Sequence, residues 1–290
     1  MRPCHDTTNG DPAGPINWPR PMNAVTPQHA AFSFGIVNPL TQPWPEGQLE
    51  SAGWSLAPER LRDSALMLPY LMRLDALDQG DQTACCALLE SDQGAHMLAA
   101  HLRRQLVMIG PDGLSMLLRL YDARVMAQLR WILTTNQIAA LLGPVRCWSF
   151  EYRGQRETLS REGSQPNRGW HPTPVQYGQI ERIGLINRVL AKADAASAAA
   201  GSADGQAIDV WLRRGLDHGL TRRQDLVAFA LQGLTRHAGF DRHRRIRHLL
   251  AEASAGRRPY YSASRGLSED DWQRMAVDLK EADRTAGAAS

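Results

Sequence analysis

One loop divides this chain into two kinds of sequence. Between Arg161 and Pro174 lie Gly163, Ser164, Pro166, Asn167, Gly169, Pro172 and Pro174, residues that interrupt both helix and strand. Ahead of the loop, short apolar runs are separated by turn residues, and one run alternates strictly. Beyond it, every apolar run follows helical spacing. This order predicts an α+β fold: an N-terminal α/β lobe with a small, mostly antiparallel sheet flanked by helices, then an all-helical C-terminal lobe. The expected boundaries are residues 1–30 as a flexible, Pro-rich N-terminus, 31–165 as the α/β lobe and 174–285 as the helical lobe. At 290 residues the chain can bury about three quarters of its unfolded surface, so it needs neither disulfides nor metal to fold.

The individual elements follow from local signals. Ala31–Val37 reads as a short strand, and Tyr70–Leu74 as an extended segment behind Pro69. Thr83–Glu90 and Gly94–Gln105 read as helices. Leu106–Ile109 and Leu114–Tyr121 flank Gly110-Pro111-Asp112-Gly113, a hairpin signal. Asp122 is placed to cap a helix over Ala123–Leu133, and Thr134 or Thr135 one that ends at Gly143. Val145–Tyr152 sets Val145, Cys147, Ser149 and Glu151 on one face of a strand. Arg146, Trp148, Phe150 and Tyr152 lie on the other, and Arg153-Gly154 turns the chain into a partner near Gln155–Leu159. Helices are predicted over Val175–Ala200, Gln206–His218, Thr221–Ala238, Asp241–Ala255 and Ser268–Asp283, with the Ala/Ser/Gly-rich Ala193–Ala207 as a flexible insertion.

Composition removes several classes of function. The 33 basic residues, all but Lys192 and Lys280 being arginine, face 30 acidic ones, so the formal charge of +3 gives no global drive toward nucleic acid. The arginine cluster Arg236, Arg242, Arg244, Arg245 and Arg247, with His237, His243 and His248, suits a solvated amphipathic helix, an anionic protein partner or a nucleic acid. No run approaches the ~20 apolar residues of a membrane span, and the start of the chain lacks the pattern of a signal peptide. Cys4, Cys85, Cys86 and Cys147 have no metal or redox spacing, which fits a cytoplasmic setting. No nucleophile elbow, zinc motif or phosphate loop occurs. The pairs His96/His101 and His243/His248 are spaced to point apart on a helix. Neither a cofactor nor a metal is expected. The run Arg119-Leu120-Tyr121-Asp122-Ala123-Arg124-Val125 stands out because it sets two arginines, a phenol and a carboxylate at a strand-to-helix junction. Its readings are an internal Arg–Asp brace with a helix cap, a partner-facing polar cluster, or a catalytic group.

Four runs carry a resemblance: Leu68-Pro69-Tyr70-Leu71-Met72-Arg73-Leu74, His101-Leu102-Arg103-Arg104, Arg119–Val125, and Gln137-Ile138-Ala139-Ala140-Leu141-Leu142-Gly143-Pro144-Val145. In order and spacing they resemble the adaptor/chaperone family of type VI secretion effectors. Leu216–Phe229 and Gly239-Phe240-Asp241 resemble that family's C-terminal half more loosely. Ala123 stands where the family has proline, and the segment between Glu90 and His101 is short, as though one strand of the sheet were missing or replaced.

The resemblance implies a non-enzymatic cytoplasmic adaptor that binds a toxin effector and loads it onto the secretion spike protein. It implies no nucleic acid partner and no membrane insertion. The candidate partner-binding residues are His101, Arg103, Arg119, Tyr121, Asp122, Arg124 and Trp148. The alternatives are a nucleic-acid-binding protein using Arg236–Arg247 and an enzyme with a dispersed site.

Overall fold

The computed structural model describes residues 32–41, 44, 47–59, 61, 68–161, 169–196 and 204–288. The expected flexible N-terminus, most of the dividing loop and the middle of the Ala/Ser/Gly-rich segment lie outside them. Phe32–Ser290 forms one compact unit.

The sheet is built from β1 (Phe34–Val37), β2 (Gly53–Ser55), β3 (Tyr70–Arg73), β4 (Ala87–Ser91), β7 (Val145–Tyr152) and β8 (Gln155–Ser160). They are arranged in the order β2-β3-β1-β4-β7-β8, and every pairing is antiparallel. The hairpin strands β5 (Val107–Ile109) and β6 (Ser115–Leu117) form a separate two-stranded ribbon. Period-two alternation sorts the side chains. Phe34, Ile36, Leu71, Leu89, Trp148 and Phe150 point into the main core, which is covered by α3 (Ala95–Gln105), α4 (Ala123–Ile132) and α5 (Thr135–Leu142). Val37, Tyr70 and Met72 point the other way, onto Leu49 of α1 (Gln48–Ala52) and Leu77.

Two expectations for the sheet need correction. Thr83–Glu90 is not a helix: α2 (Gln79–Thr83) ends at Thr83, and Ala87–Ser91 is the strand that bridges β1 and β7. A short apolar run does not distinguish helix from strand, and hydrogen bonds to neighbours on both sides decide it here. The strict alternation of β7 also fails at its start. Opposite Glu90 and Ser91 the register skips Arg146, a bulge that turns Val145 into the same core as Trp148 and leaves Arg146 to pair with Glu90 and Asp92.

Beyond the sheet lie α6 (Pro174–Ala196), α7 (Gly205–Asp217), α8 (Arg223–Thr235), α9 (Arg244–Ser254), α10 (Tyr260–Ser264) and α11 (Glu269–Ala288). The insertion expected over Ala193–Ala207 is therefore helical at both ends. Thr221 does not cap α8, which starts from Arg222. Asp225, in its first turn, is buried and accepts a hydrogen bond from the Tyr261 backbone N–H at 2.7 Å, holding the unforeseen α10. A 3-10 turn, Phe240–Arg242, precedes α9, which begins at Arg244 rather than Asp241.

Helix α6 joins the two halves for a reason visible in its sequence. Ile180, Ile183, Ile186 and Val189 recur every three residues, and each step falls ~60° short of a full turn, so Ile180 and Val189 lie about 180° apart. Ile180 and Ile183 pack in the sheet core. Ile186, Val189 and Leu190 pack in a second cluster with Leu212, Phe229, Phe240, Tyr260 and Trp272.

Candidate functional site

Several residues of the recognised runs serve the interior. His101 on α3 is 9% exposed, and its Nε2 donates to the Leu141 carbonyl at the end of α5, 2.9 Å away. Gly143 closes that helix at φ +55°, and its missing side chain makes room for the ring: a Cβ there would lie 2.2 Å from His101 Cε1. Two runs 40 residues apart in sequence are thus one packing unit. Arg103 donates to the Ser55 carbonyl of β2 at 3.3 Å. Trp148 is 2% exposed in the sheet core, Phe150 is buried beside it and Tyr152 half-buried, so the aromatic face of β7 is mostly core.

Burial sets the His101 pKa below that of a free imidazole; donation to Leu141 opposes this and the Arg104 charge adds to it. As pH falls below about 6.5 the unfolded chain takes up a proton that folded His101 resists. The stability held by the neutral ring is complete above that value and is lost as pH falls through the folded pKa. Urea melts at pH 7.5 and 5.5 are expected to show a larger loss for the wild type than for His101→Gln, and equal losses would contradict this packing.

The junction after β6 builds the exposed counterpart. Leu118, Leu120 and Tyr121 are buried, fixing the connection against the core, while Arg119 is exposed. The strand ends at Leu117 rather than running to Tyr121, and the Arg119 guanidinium lies over the Tyr121 ring, 5.8 Å from its centroid. Asp122 caps α4 through the Arg124 backbone N–H at 3.0 Å and accepts from Arg124 Nε at 2.9 Å and a terminal nitrogen at 2.8 Å, with Arg119 at 3.4 Å. Burial pushes the Asp122 carboxyl up, but the two guanidiniums and the cap bond outweigh it and hold it below the usual range. The structure therefore brings Arg119, Tyr121, Asp122 and Arg124 together, leaves His101 and Arg103 elsewhere, and places Trp148 against Tyr121 on the core side only.

This junction forms one wall of a groove of about 510 Å³; the other is α6, through Ile180, Ile183, Gly184 and Asn187. Gly184 is exposed, with nothing within 4 Å of where a Cβ would sit. Asn187 bridges the walls, donating to the Arg124 carbonyl at 3.3 Å and accepting from Gln128, also at 3.3 Å. Gln128, 3% exposed, also accepts from Trp131 Nε1 at 2.9 Å, so it joins α4 to α6 from within. Gln128 and the α6 residues were not among the sequence candidates. The signals were a lone polar residue inside the apolar run of α4 and the three-residue spacing of α6.

A second groove, about 760 Å³, lies between the end of α7 and α9. Near it three of the five arginines of the cluster, and one of its histidines, meet carboxylates. Arg236 pairs with Glu269, Arg242 with Asp283, His243 with Asp278 and Arg245 with Asp271, so α11 supplies the counter-charges. His243 also caps α9, Nδ1 accepting from the Arg245 N–H at 3.2 Å. Among the described residues no group of three or more His, Cys, Asp or Glu side chains is placed to hold a metal, and no helix is long and apolar enough to cross a membrane. Burial pushes the thiols of Cys85 and Cys86 up to about 11 and about 12, so both stay protonated at neutral pH.

Residues 43–140 match a family described as "Domain of unknown function (DUF4123)". That family is associated with type VI secretion effector adaptors. The matched third of the chain contains β2 to β6, α1 to α4 and most of α5, and hence the Arg119–Arg124 wall of the smaller groove. No curated protein and no solved structure matches the chain.

Proposed function

We propose that the protein is a non-enzymatic cytoplasmic adaptor that binds a type VI toxin effector in the groove between the Arg119–Arg124 junction and α6 and delivers it to the spike protein. The observation that carries this reading is the position of the family match: it covers the whole Arg119–Arg124 wall of an open groove whose other wall is α6. The lining suits a peptide segment, with the half-buried Met116, Leu117 and Val125 offering apolar contact beside the guanidiniums of Arg119 and Arg124. Both guanidiniums are anchored on Asp122 yet remain about half exposed or more. The second groove does bring His218 onto Asp241, but Arg214 shares the same carboxylate oxygen, which supports a charge-balanced brace over an acid–base pair.

Co-expression with the effector and spike protein of a type VI apparatus from the same genome is expected to give a complex that survives gel filtration without added cofactor. Gly184→Trp, which fills the groove from an exposed helix position, and Arg119→Glu should each weaken it at least about tenfold, as for a central interface contact. Failure of the wild type to form any complex, or full binding by both variants, would overturn the reading.

A further inference from the structure

The larger groove has a construction that the adaptor reading does not use. Asp241 is 2% exposed, and its Oδ2 accepts from Arg214 Nε at 2.6 Å and from His218 Nε2 at 2.8 Å. This fixes a guanidinium and an imidazole at the end of α7 while leaving Arg214's terminal nitrogens and His218 Nδ1 for other partners. Arg214 is further held over the Trp211 ring, 5.2 Å from its centroid. Opposite them Arg247 projects from α9 into the same groove, with Leu250 and Ala251 forming an apolar floor.

The arginines and histidine around α9 show what they accept. Arg236, Arg242, His243 and Arg245 each meet a carboxylate of α11, whereas Arg247, which lines the groove together with Arg242, makes no ion pair within the described residues. Among the lining residues Asp217 is the exposed acid.

We infer that this groove docks an acidic peptide segment of a partner protein, its carboxylates taken by Arg214 and Arg247 and one apolar side chain resting on Leu250 and Ala251. The argument is charge complementarity on a preorganised cationic face beside apolar surface. A free small anion would leave most of a 760 Å³ open groove unused. A nucleic acid would meet no lining aromatic on which to stack. The owner of the segment rests on the adaptor reading; the preference of the groove does not.

The test is fluorescence anisotropy at low salt with a labelled ten-residue Asp/Glu peptide carrying a central leucine. The wild type is expected to bind it and to ignore the Asn/Gln version. Arg247→Glu should weaken binding about tenfold, and Asp217→Asn should tighten it about threefold, by removing a like charge. Both positions are exposed, and circular dichroism and melting checks confirm that each variant is folded. Gly184→Trp should leave the affinity unchanged, which separates this groove from the effector groove. Absence of binding, equal binding of the neutral peptide, or an Arg247→Glu variant that binds as the wild type does would overturn the proposal. So would tighter binding of a thymidine decanucleotide, or displacement of the peptide by low-millimolar inorganic phosphate.

Discussion

Replacing Gly143 by alanine is expected to cost about 3–5 kcal/mol of folding stability and to lower the melting temperature by roughly 10 °C. Two effects add. The residue sits at φ +55°, ψ −112°, a conformation in which an L side chain is strained by about 1–3 kcal/mol. The new methyl carbon would also lie 2.2 Å from Cε1 and 2.5 Å from Nε2 of His101, and overpacking of this kind costs about 1–3 kcal/mol. The ring cannot move aside without losing its hydrogen bond to Leu141, two residues before the glycine. The double variant His101→Ala/Gly143→Ala tests the cause, since removing the ring relieves the clash and leaves only the backbone strain. Its loss should therefore be smaller than the sum of the two single losses, by 1 kcal/mol or more, as for residues in contact. A Gly143→Ala protein that melts within a degree or two of the wild type would refute the packing described.

The second large effect concerns the contact between α6 and α7. Arg182 and Asp209 form a two-pronged ion pair, Nε to Oδ1 at 2.6 Å and a terminal nitrogen to Oδ2 at 3.1 Å, with side chains 14% and 4% exposed. Asp209→Ala leaves a largely buried guanidinium without its counter-charge and is expected to cost about 3 kcal/mol in urea unfolding. Replacing both partners by apolar residues, Arg182→Met with Asp209→Leu, removes the stranded charge and should recover most of that loss. If the double variant is no more stable than Asp209→Ala, the cost lies in packing and not in the unpaired charge. Asp209 stands in the first turns of α7 between Ile208 and Val210, and nothing in that local pattern distinguishes it from a solvated acid.

Much of the architecture is legible from local chemistry. The Asp112-Gly113 hairpin, the Asp122 cap, the Thr134–Gln137 capping box and the Arg153-Gly154 turn each rest on backbone geometry that a few neighbouring residues set. Ala87–Ser91 is not legible in this way, because its strand form depends on β1 and β7, which lie about 50 residues away on either side. The site divides along the same line. The Arg119–Arg124 junction is a local cluster and was recognised. Its opposing wall on α6, the Gln128–Asn187 bridge and the His101–Gly143 contact join residues 40 or more positions apart.

The dividing loop thus marks a real change in how the sequence is written: short strands and turns before it, helices after it. By itself the sequence determined the two kinds of secondary structure, most caps and turns, and the rotation of the apolar stripe along α6, since each depends on spacing within a few turns of one element. Only the tertiary structure decided which motif residues are buried and which charges of the arginine cluster are neutralised. Both depend on what packs opposite: α5 behind His101, the sheet core around Trp148, and the acidic face of α11 beside α9. Burial and charge pairing are properties of surroundings, and these residues acquire theirs from distant parts of the chain.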